Sequence, residues 1–217
     1  MNIVFDFGAI LFAWQPAQLL RRHFPEFTET PDQAQQFARE VFHHNDWQDF
    51  DRGVVELDAV VHKTAARLSL PSDALHGLMA PIGEELAPIV CNVNLLSRLR
   101  GQRDQGADLQ LYFLSNMPAP FARSLERKHA FLKWFDGGIF SGDVKLAKPG
   151  AAIYELLAER HGLEPVRTLF IDDALVNVDA ARALGWHAIH CVEPEQLADQ
   201  LYGTLNQLNP VLASAIA

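Results

Sequence analysis

Three short apolar runs end abruptly in small polar or acidic side chains: NIVFD at 2–6, LQLYFLSN at 109–116 and RTLFIDD at 167–173. Each is too short for a helix and rich in β-formers, so each reads as a strand buried on both faces, as in a parallel sheet. Parallel strands need long crossovers, and the later chain supplies them. GGIFSGDVKLAKP (137–149) reads as a short strand and a loop, GAAIYELLAERHG (150–162) as a helix, and NVDAARALG (177–185) as part of another. HAIHCV (187–192) follows as a strand, and a last helix runs from Pro194 to about Leu208, leaving NPVLASAIA (209–217) as a loose tail. Alternation at this spacing predicts an α/β fold whose sheet carries helices on both faces.

The first and second runs are separated by about a hundred residues with no strand signal. PAQLLRRHF, PDQAQQFAREVFHH, ELDAVVHKTAARLSL and DALHGLMAPIGEEL instead repeat apolar residues every three or four positions. Several helices in succession are expected there. A chain of 217 residues can hold one domain with a sizeable insert. The expected organisation is a Rossmann-like parallel-sheet core formed by 1–14 and 91–217, with a helical cap, 15–90, inserted after the first strand.

A formal charge of -9 repels phosphate backbones and anionic lipid, so nucleic acid and membrane are not expected partners. Cys91 and Cys191 form no CxxC or CxxH spacing, which fits a reducing cytoplasm. The N-terminal apolar stretch is broken by Asp6 and has no basic flank, and no run is long enough to cross a bilayer. The protein is expected to be soluble and not exported, as a monomer or homodimer.

Ligands of open parallel sheets bind at the carboxyl ends of the strands. That rule gathers Asp6, Ser115 with Asn116, and Asp172 with Asp173. Clustered carboxylates repel unless a cation sits among them, and hard oxygen donors with room for water favour Mg²⁺. Lys148 in AKPG adds a fixed positive charge, with Lys145 as its rival, and Ser115 offers hydrogen bonds to a phosphate.

The ordered set FDFG, LSN, KPGAAIY and FIDDALVNVDAARALG resembles the haloacid dehalogenase-like hydrolase superfamily, in particular its bacterial sugar-phosphate phosphatases with a helical cap. The resemblance implies that Asp6 is nucleophile and metal ligand, and that Gly8 lends its backbone carbonyl to Mg²⁺. It further implies that Ser115 and Asn116 hold the phosphoryl group and that Lys148 balances charge. Asp173 matches the direct metal ligand, Asp172 its acidic neighbour, and Asn177 a position where many members carry Asp. The implied reaction is hydrolysis of a small phosphorylated metabolite, such as a sugar 1-phosphate, through an aspartyl phosphate.

Gly8 departs from the many members that carry an acid/base Asp two residues after the nucleophile. Glycine transfers no proton, and general acid catalysis is worth about 10²–10⁴-fold, so leaving groups of low pKa are expected to be favoured unless a cap residue such as His43, His44 or Asp46, or a water, substitutes. Trp47, Phe50 and Arg52 are candidate substrate contacts in the cap, with packing between helices the alternative for the two aromatics and solvent exposure for Arg52. His23, His62 and His76 lack partners at ligand spacing. Two other functions fit parts of the pattern: a 2-haloacid dehalogenase using the same Asp6, for which Asp172 and Asp173 make little electrostatic sense, and a catalytically silent binding module of the same fold.

Overall fold

The computed structural model describes residues 1–216. Among them five strands form one parallel sheet: β1 (Asn2–Phe5), β2 (Gln110–Ser115), β3 (Gly137–Phe140), β4 (Thr168–Asp172) and β5 (His187–His190). Between β1 and β2 run α1 (Pro16–His23), α2 (Pro31–Phe42), α3 (Asn45–Asp51), α4 (Leu57–Leu68), α5 (Ser72–Met79), α6 (Ile82–Glu85) and α7 (Val90–Asp104). After β2 come α8 (Ala119–Lys128), α9 (Ser141–Val144), α10 (Ala151–His161), α11 (Leu175–Ala183), α12 (Leu197–Leu208) and α13 (Pro210–Ile216). No helix in the described residues is long and apolar enough to cross a membrane.

The sheet order is β3-β2-β1-β4-β5, so the first strand lies in the middle and connections diverge on either side of it. Period-two alternation assigns its side chains to two layers. Ile3 and Phe5 join Leu111, Leu169 and Ile171 on one face, while Val4 joins Tyr112, Leu114 and Phe170 on the other. The second face is closed by Ile153, Tyr154 and Leu157 of α10 and by Ala181 of α11. On the first face, Leu96 and Leu99 of α7, Leu125 of α8 and Leu201 of α12 lie in the same cluster as Leu20, Val41, Val60 and Leu75 of the inserted helices.

Local sequence explains the punctuation of the insert. Thr30 and Gln33 close a capping box on α2, with the Gln33 amide donating to Thr30 Oγ1 at 3.2 Å and the Thr30 amide to Gln33 Oε1 at 2.9 Å. DALHGLMAPIGEEL reads as one helical pattern but divides into α5 and α6 at Pro81, whose missing N–H and ring break the ladder. The chain leaves and rejoins the sheet side by side: Ala13 N donates to Ala87 O and Ile89 N to Leu11 O, both at 2.8 Å.

Two expectations need correction. The tail at 209–217 is not loose through 216, because α13 buries Leu212 and Ala213 against the core, an outcome its Val-Leu-Ala composition permits and its preceding Asn-Pro concealed; Ala217 lies outside the described residues. The helix that ends at Leu208 is not the last, since α13 follows it, and its first turn, Pro194–Gln196, is a 3-10 turn.

Candidate active site

Phe5 is in register with Ile171, so the next residue of each strand, Asp6 and Asp172, come level at the sheet's carboxyl edge. Asp6 N still donates to Ile171 O at 2.9 Å, which holds its backbone to the ladder. Both carboxylates are buried, and Lys148 Nζ lies between them, 2.8 Å from Asp6 Oδ1 and 2.7 Å from Asp172 Oδ2. Lys148 is itself buried, whereas its rival Lys145 is exposed. The loop carrying Lys148 is clamped by Asn116, whose Nδ2 donates to Lys148 O at 3.0 Å and whose Oδ1 accepts from Lys148 N at 2.9 Å.

Asp172 is fully engaged by protein donors. Its Oδ1 accepts from the Ala174 amide at 2.8 Å and from Asn177 Nδ2 at 2.9 Å, while Oδ2 takes Lys148 and a second contact from Asn177. Asp173 is half-buried and makes no ion pair among the described residues. One oxygen from each of Asp6, Asp172 and Asp173 falls within 4.8 Å of the others. Three carboxylates therefore face one ammonium.

Burial, reinforced by the charges of Asp172 and Asp173 and opposed by Lys148, pushes the Asp6 carboxyl up to about 7. Burial and Asp172 also raise Asp173. Burial would lower Lys148, but Asp172 and Asp6 outweigh it and hold the ammonium above its ordinary value. This uncompensated negative charge, with hard oxygen donors and one carboxylate free of protein partners, suits a divalent cation that keeps some of its water. Gly8 lines the same cavity. A Cβ there would meet only Trp14, at 3.8 Å, so the backbone does not demand glycine.

The cavity above these groups has a volume of about 580 Å³. Asn116, Lys148, Asp173 and Asn177 border it at the sheet end, and Trp47 borders it from α3. Several expected contacts are not part of this wall. Ser115 is buried and does not line the cavity; Asn116 does line it, with its side-chain amide bound to the Lys148 loop. Phe50 packs between Trp47 and Phe121, with ring centroids 5.5 and 5.3 Å away. Arg52 turns its guanidinium to Asp49 and lies outside the lining. His43 does line the cavity, whereas His44 caps α3 and pairs with Asp46 at 2.8 Å, both away from it.

Asp51, the last residue of α3, was not singled out by the sequence, yet it lines the cavity with Asp6 and Lys148. Its place is fixed by close docking of the insert on the core. Ser141 Oγ donates to Asp51 O while accepting from Met117 N at 2.8 Å. Gly53, at φ +65°, rests on the Gly142 carbonyl with no space for a Cβ. Burial, with a contribution from Asp6, raises the Asp51 carboxyl well above its ordinary range against the opposing Lys148 charge and a hydrogen bond from Trp47. The signal was the i, i+4 spacing of Trp47 and Asp51, legible only once 45–51 is taken as a helix.

Residues 93–185 match the family model for haloacid dehalogenase-like hydrolases. The sesquiterpene phosphatase astK of Aspergillus oryzae is 27% identical over 201 residues, 89% of this chain and 94% of that protein. The phosphoglycolate phosphatase of Escherichia coli is 30% identical over 149 residues, 64% of this chain and 56% of that protein. Among solved structures, the HAD family enzyme bt-2542 of Bacteroides thetaiotaomicron in complex with magnesium and inorganic phosphate superposes with a TM-score of 0.65 at 18% identity, covering 87% of this chain and 92% of that one. L-2-haloacid dehalogenase of Xanthobacter autotrophicus gives 0.64 at 20% identity, covering 97% and 85%. The family model covers less than half of the chain, and the solved structures share its fold: the chain is similar to the haloacid dehalogenase-like hydrolases. The two sequence relatives named here are both phosphatases.

Proposed function

We propose that the protein is a Mg²⁺-assisted hydrolase of phosphate monoesters that carries the phosphoryl group on Asp6, with residues 15–90 serving as a cap over core residues 1–14 and 91–217. The observation that carries this reading is Lys148 bridging Asp6 and Asp172 beside the unpaired Asp173. Asp6, Asp173 and the Gly8 backbone would hold Mg²⁺, with Asp172 behind them anchoring Lys148. Bound there, the ion would supply positive charge to the phosphoryl oxygens.

The chain's own groups do the rest. An Asp6 oxygen attacks phosphorus in line and the bond from phosphorus to the alcohol oxygen breaks, while Lys148 offsets the charge of nucleophile and phosphate. Asp51, whose carboxyl burial raises well above its ordinary range, gives its proton to the departing oxygen, the role for which Gly8 has no side chain. Its carboxylate then takes a proton from the water that attacks the aspartyl phosphate, which releases inorganic phosphate and restores Asp6. Asp51 thus replaces His43, His44 and Asp46 as donor.

The two relatives named above are phosphatases that differ in the alcohol their names specify. The dehalogenase reading requires a partner for a substrate carboxylate. Among the described residues lining the cavity, Lys148 is the one lysine or arginine, and it already bridges two carboxylates. The test is a screen of phosphate monoesters and 2-haloacids with Mg²⁺ and with chelator, using Asp6→Asn as the blank. Mg²⁺-dependent release of phosphate is expected. Chelator-insensitive release of halide would assign the site to carbon, and no turnover of any ester would favour a silent binding module.

A further inference from the structure

Part of the cavity wall is built differently from the cluster of charges around Asp6. Trp14, Phe42 and Trp47 meet there, with ring centroids 5.1 Å apart for Trp14–Phe42, 4.7 Å for Phe42–Trp47 and 6.4 Å for Trp14–Trp47. Phe121 continues the wall 6.4 Å from Trp47, and Ile82 of α6 and Leu86 just after that helix also line it. These contacts are fixed by the seating of α6 on α8, where a Cβ on Gly83 would lie 2.7 Å from Phe121 Cα. Trp14 lies beside residue 8, two positions from the nucleophile, at ordinary contact distance from where a Cβ there would sit.

Such a wall offers area but little to a polar alcohol. A sugar could lay a C–H face on the rings, but its hydroxyls would have only Gln15, Gln18, Gln35 and His43 for partners beyond the charged cluster and Asn116 and Asn177 beside it, and polar groups removed from water without partners are costly. A substrate with a second anionic group would meet Asp51 and Asp173 and no unengaged lysine or arginine among the described lining residues. A hydrocarbon, in contrast, trades water for six apolar side chains. A volume of about 580 Å³ lies within the ordinary range for a ligand cavity, roughly 300–1,000 Å³.

We propose that this chamber selects the alcohol: the preferred substrate is the monophosphate of an apolar alcohol of medium length, its hydrocarbon lying along Trp14, Phe42, Trp47 and Phe121. The inference rests on the phosphomonoester hydrolase reading and replaces the sugar 1-phosphate expected from the sequence with a different ester. It also gives Asp51 a purpose, since a simple alkoxide is a poor leaving group that needs a proton more than an anomeric oxygen does.

The experiment measures kcat/KM of the full chain with Mg²⁺ on ethyl, butyl, hexyl and octyl phosphate, with glycerol 3-phosphate, phosphoglycolate and a sugar 1-phosphate as polar competitors and nitrophenyl phosphate as a reference. Values are expected to rise about fourfold per buried methylene until the chamber is filled, leaving the polar esters far behind octyl phosphate. Leu86→Asn is expected to lower the octyl-to-ethyl ratio, and the ethyl and nitrophenyl rates report separately on a folded enzyme. A flat chain-length series, a polar ester that matches octyl phosphate, or a ratio unmoved by Leu86→Asn would overturn the inference while turnover of nitrophenyl phosphate leaves the hydrolase standing. Failure to cleave nitrophenyl phosphate or any other ester removes the hydrolase reading beneath it.

Discussion

Asp6, Asp172 and Lys148 stand at the edge of a sheet buried on both faces, and each is tied to the others or to backbone at 2.7–3.1 Å. Trp14, Phe42 and Trp47, on another part of the wall of the same cavity, meet one another across centroid distances of 4.7–6.4 Å, and Trp47 also packs on Phe50 and Phe121. Charges in a dry site tolerate almost no displacement or loss of a partner, because an unpaired buried charge costs several kcal/mol. Apolar contacts are individually small and can be exchanged for others of similar volume. One part of the cavity wall is thus suited to fixed chemistry and the other to variation in the alcohol.

The largest expected effect lies in the charged part. Asp6→Asn should lower kcat on nitrophenyl phosphate by about 10⁴-fold or more, since a group acting as nucleophile is not replaced by binding alone; steady-state rates measure it. Lys148→Met leaves Asp6 and Asp172 facing each other in a buried site, and should cost about 3–5 kcal/mol of stability by urea unfolding. Adding Asp172→Asn should recover part of that loss. A Lys148→Met protein as stable as the parent would mean that the charged part is no stricter than the aromatic one.

Asp51→Asn should reduce kcat on octyl phosphate by about 10²–10³-fold and on nitrophenyl phosphate much less, because only the alkoxide needs the proton. An equal loss on both esters would make Asp51 a positioning residue. The smallest effect belongs to the aromatic wall: Phe42→Leu should cost about 1 kcal/mol of stability and lower the octyl-to-ethyl ratio a few-fold, leaving the nitrophenyl rate nearly unchanged.

The pH dependence sharpens the contrast further. In the folded chain Asp6 holds its proton to about 7, against 3.8 when unfolded. Between those values the folded state binds more protons than the unfolded one, so chelator-treated protein should lose stability as pH rises through this window. Asp51 and Asp173, also raised, act in the same direction. Lys148, raised as well, keeps its contribution below the ordinary lysine range and loses it only at higher pH. The melting temperature of chelator-treated protein should therefore be lower at about pH 7.5 than at about pH 5. The increment from Mg²⁺ should be larger at the higher pH, where the ion no longer competes with protons.

The same contrast governs what the sequence disclosed. Strand ends are legible because a carboxylate closing an apolar β run has no packing reason to be there, and Asp6, Asp172 and Asp173 all announce themselves in that way. Lys148 was separable from Lys145 only through the KP match, and its burial is set by the Asn116 clamp, a contact across 32 residues that no local pattern carries. Of the aromatic wall only Trp47 was a candidate, and Trp14 and Phe42 were hidden for a different reason. Phe42 and Trp47 lie on helices at spacings that serve a core equally well, and both are in fact buried. Which face of an insert helix looks into a cavity depends on how the insert seats on the core, here through Ser141, Gly53 and Gly83. Asp51 was missed because HHNDWQDFD offers three aspartates, and only the helical turn of α3 distinguishes the one that faces the nucleophile.

The most direct test of the account is the fate of Asp6 during turnover. Protein mixed with excess nitrophenyl phosphate and Mg²⁺, quenched in acid within one turnover and digested, should yield the peptide containing Asp6 with the mass of one added phosphoryl group, and the Asp6→Asn protein should yield none. Release of phosphate at the full rate with no phosphoryl group ever found on Asp6, or undiminished turnover by Asp6→Asn, would contradict it.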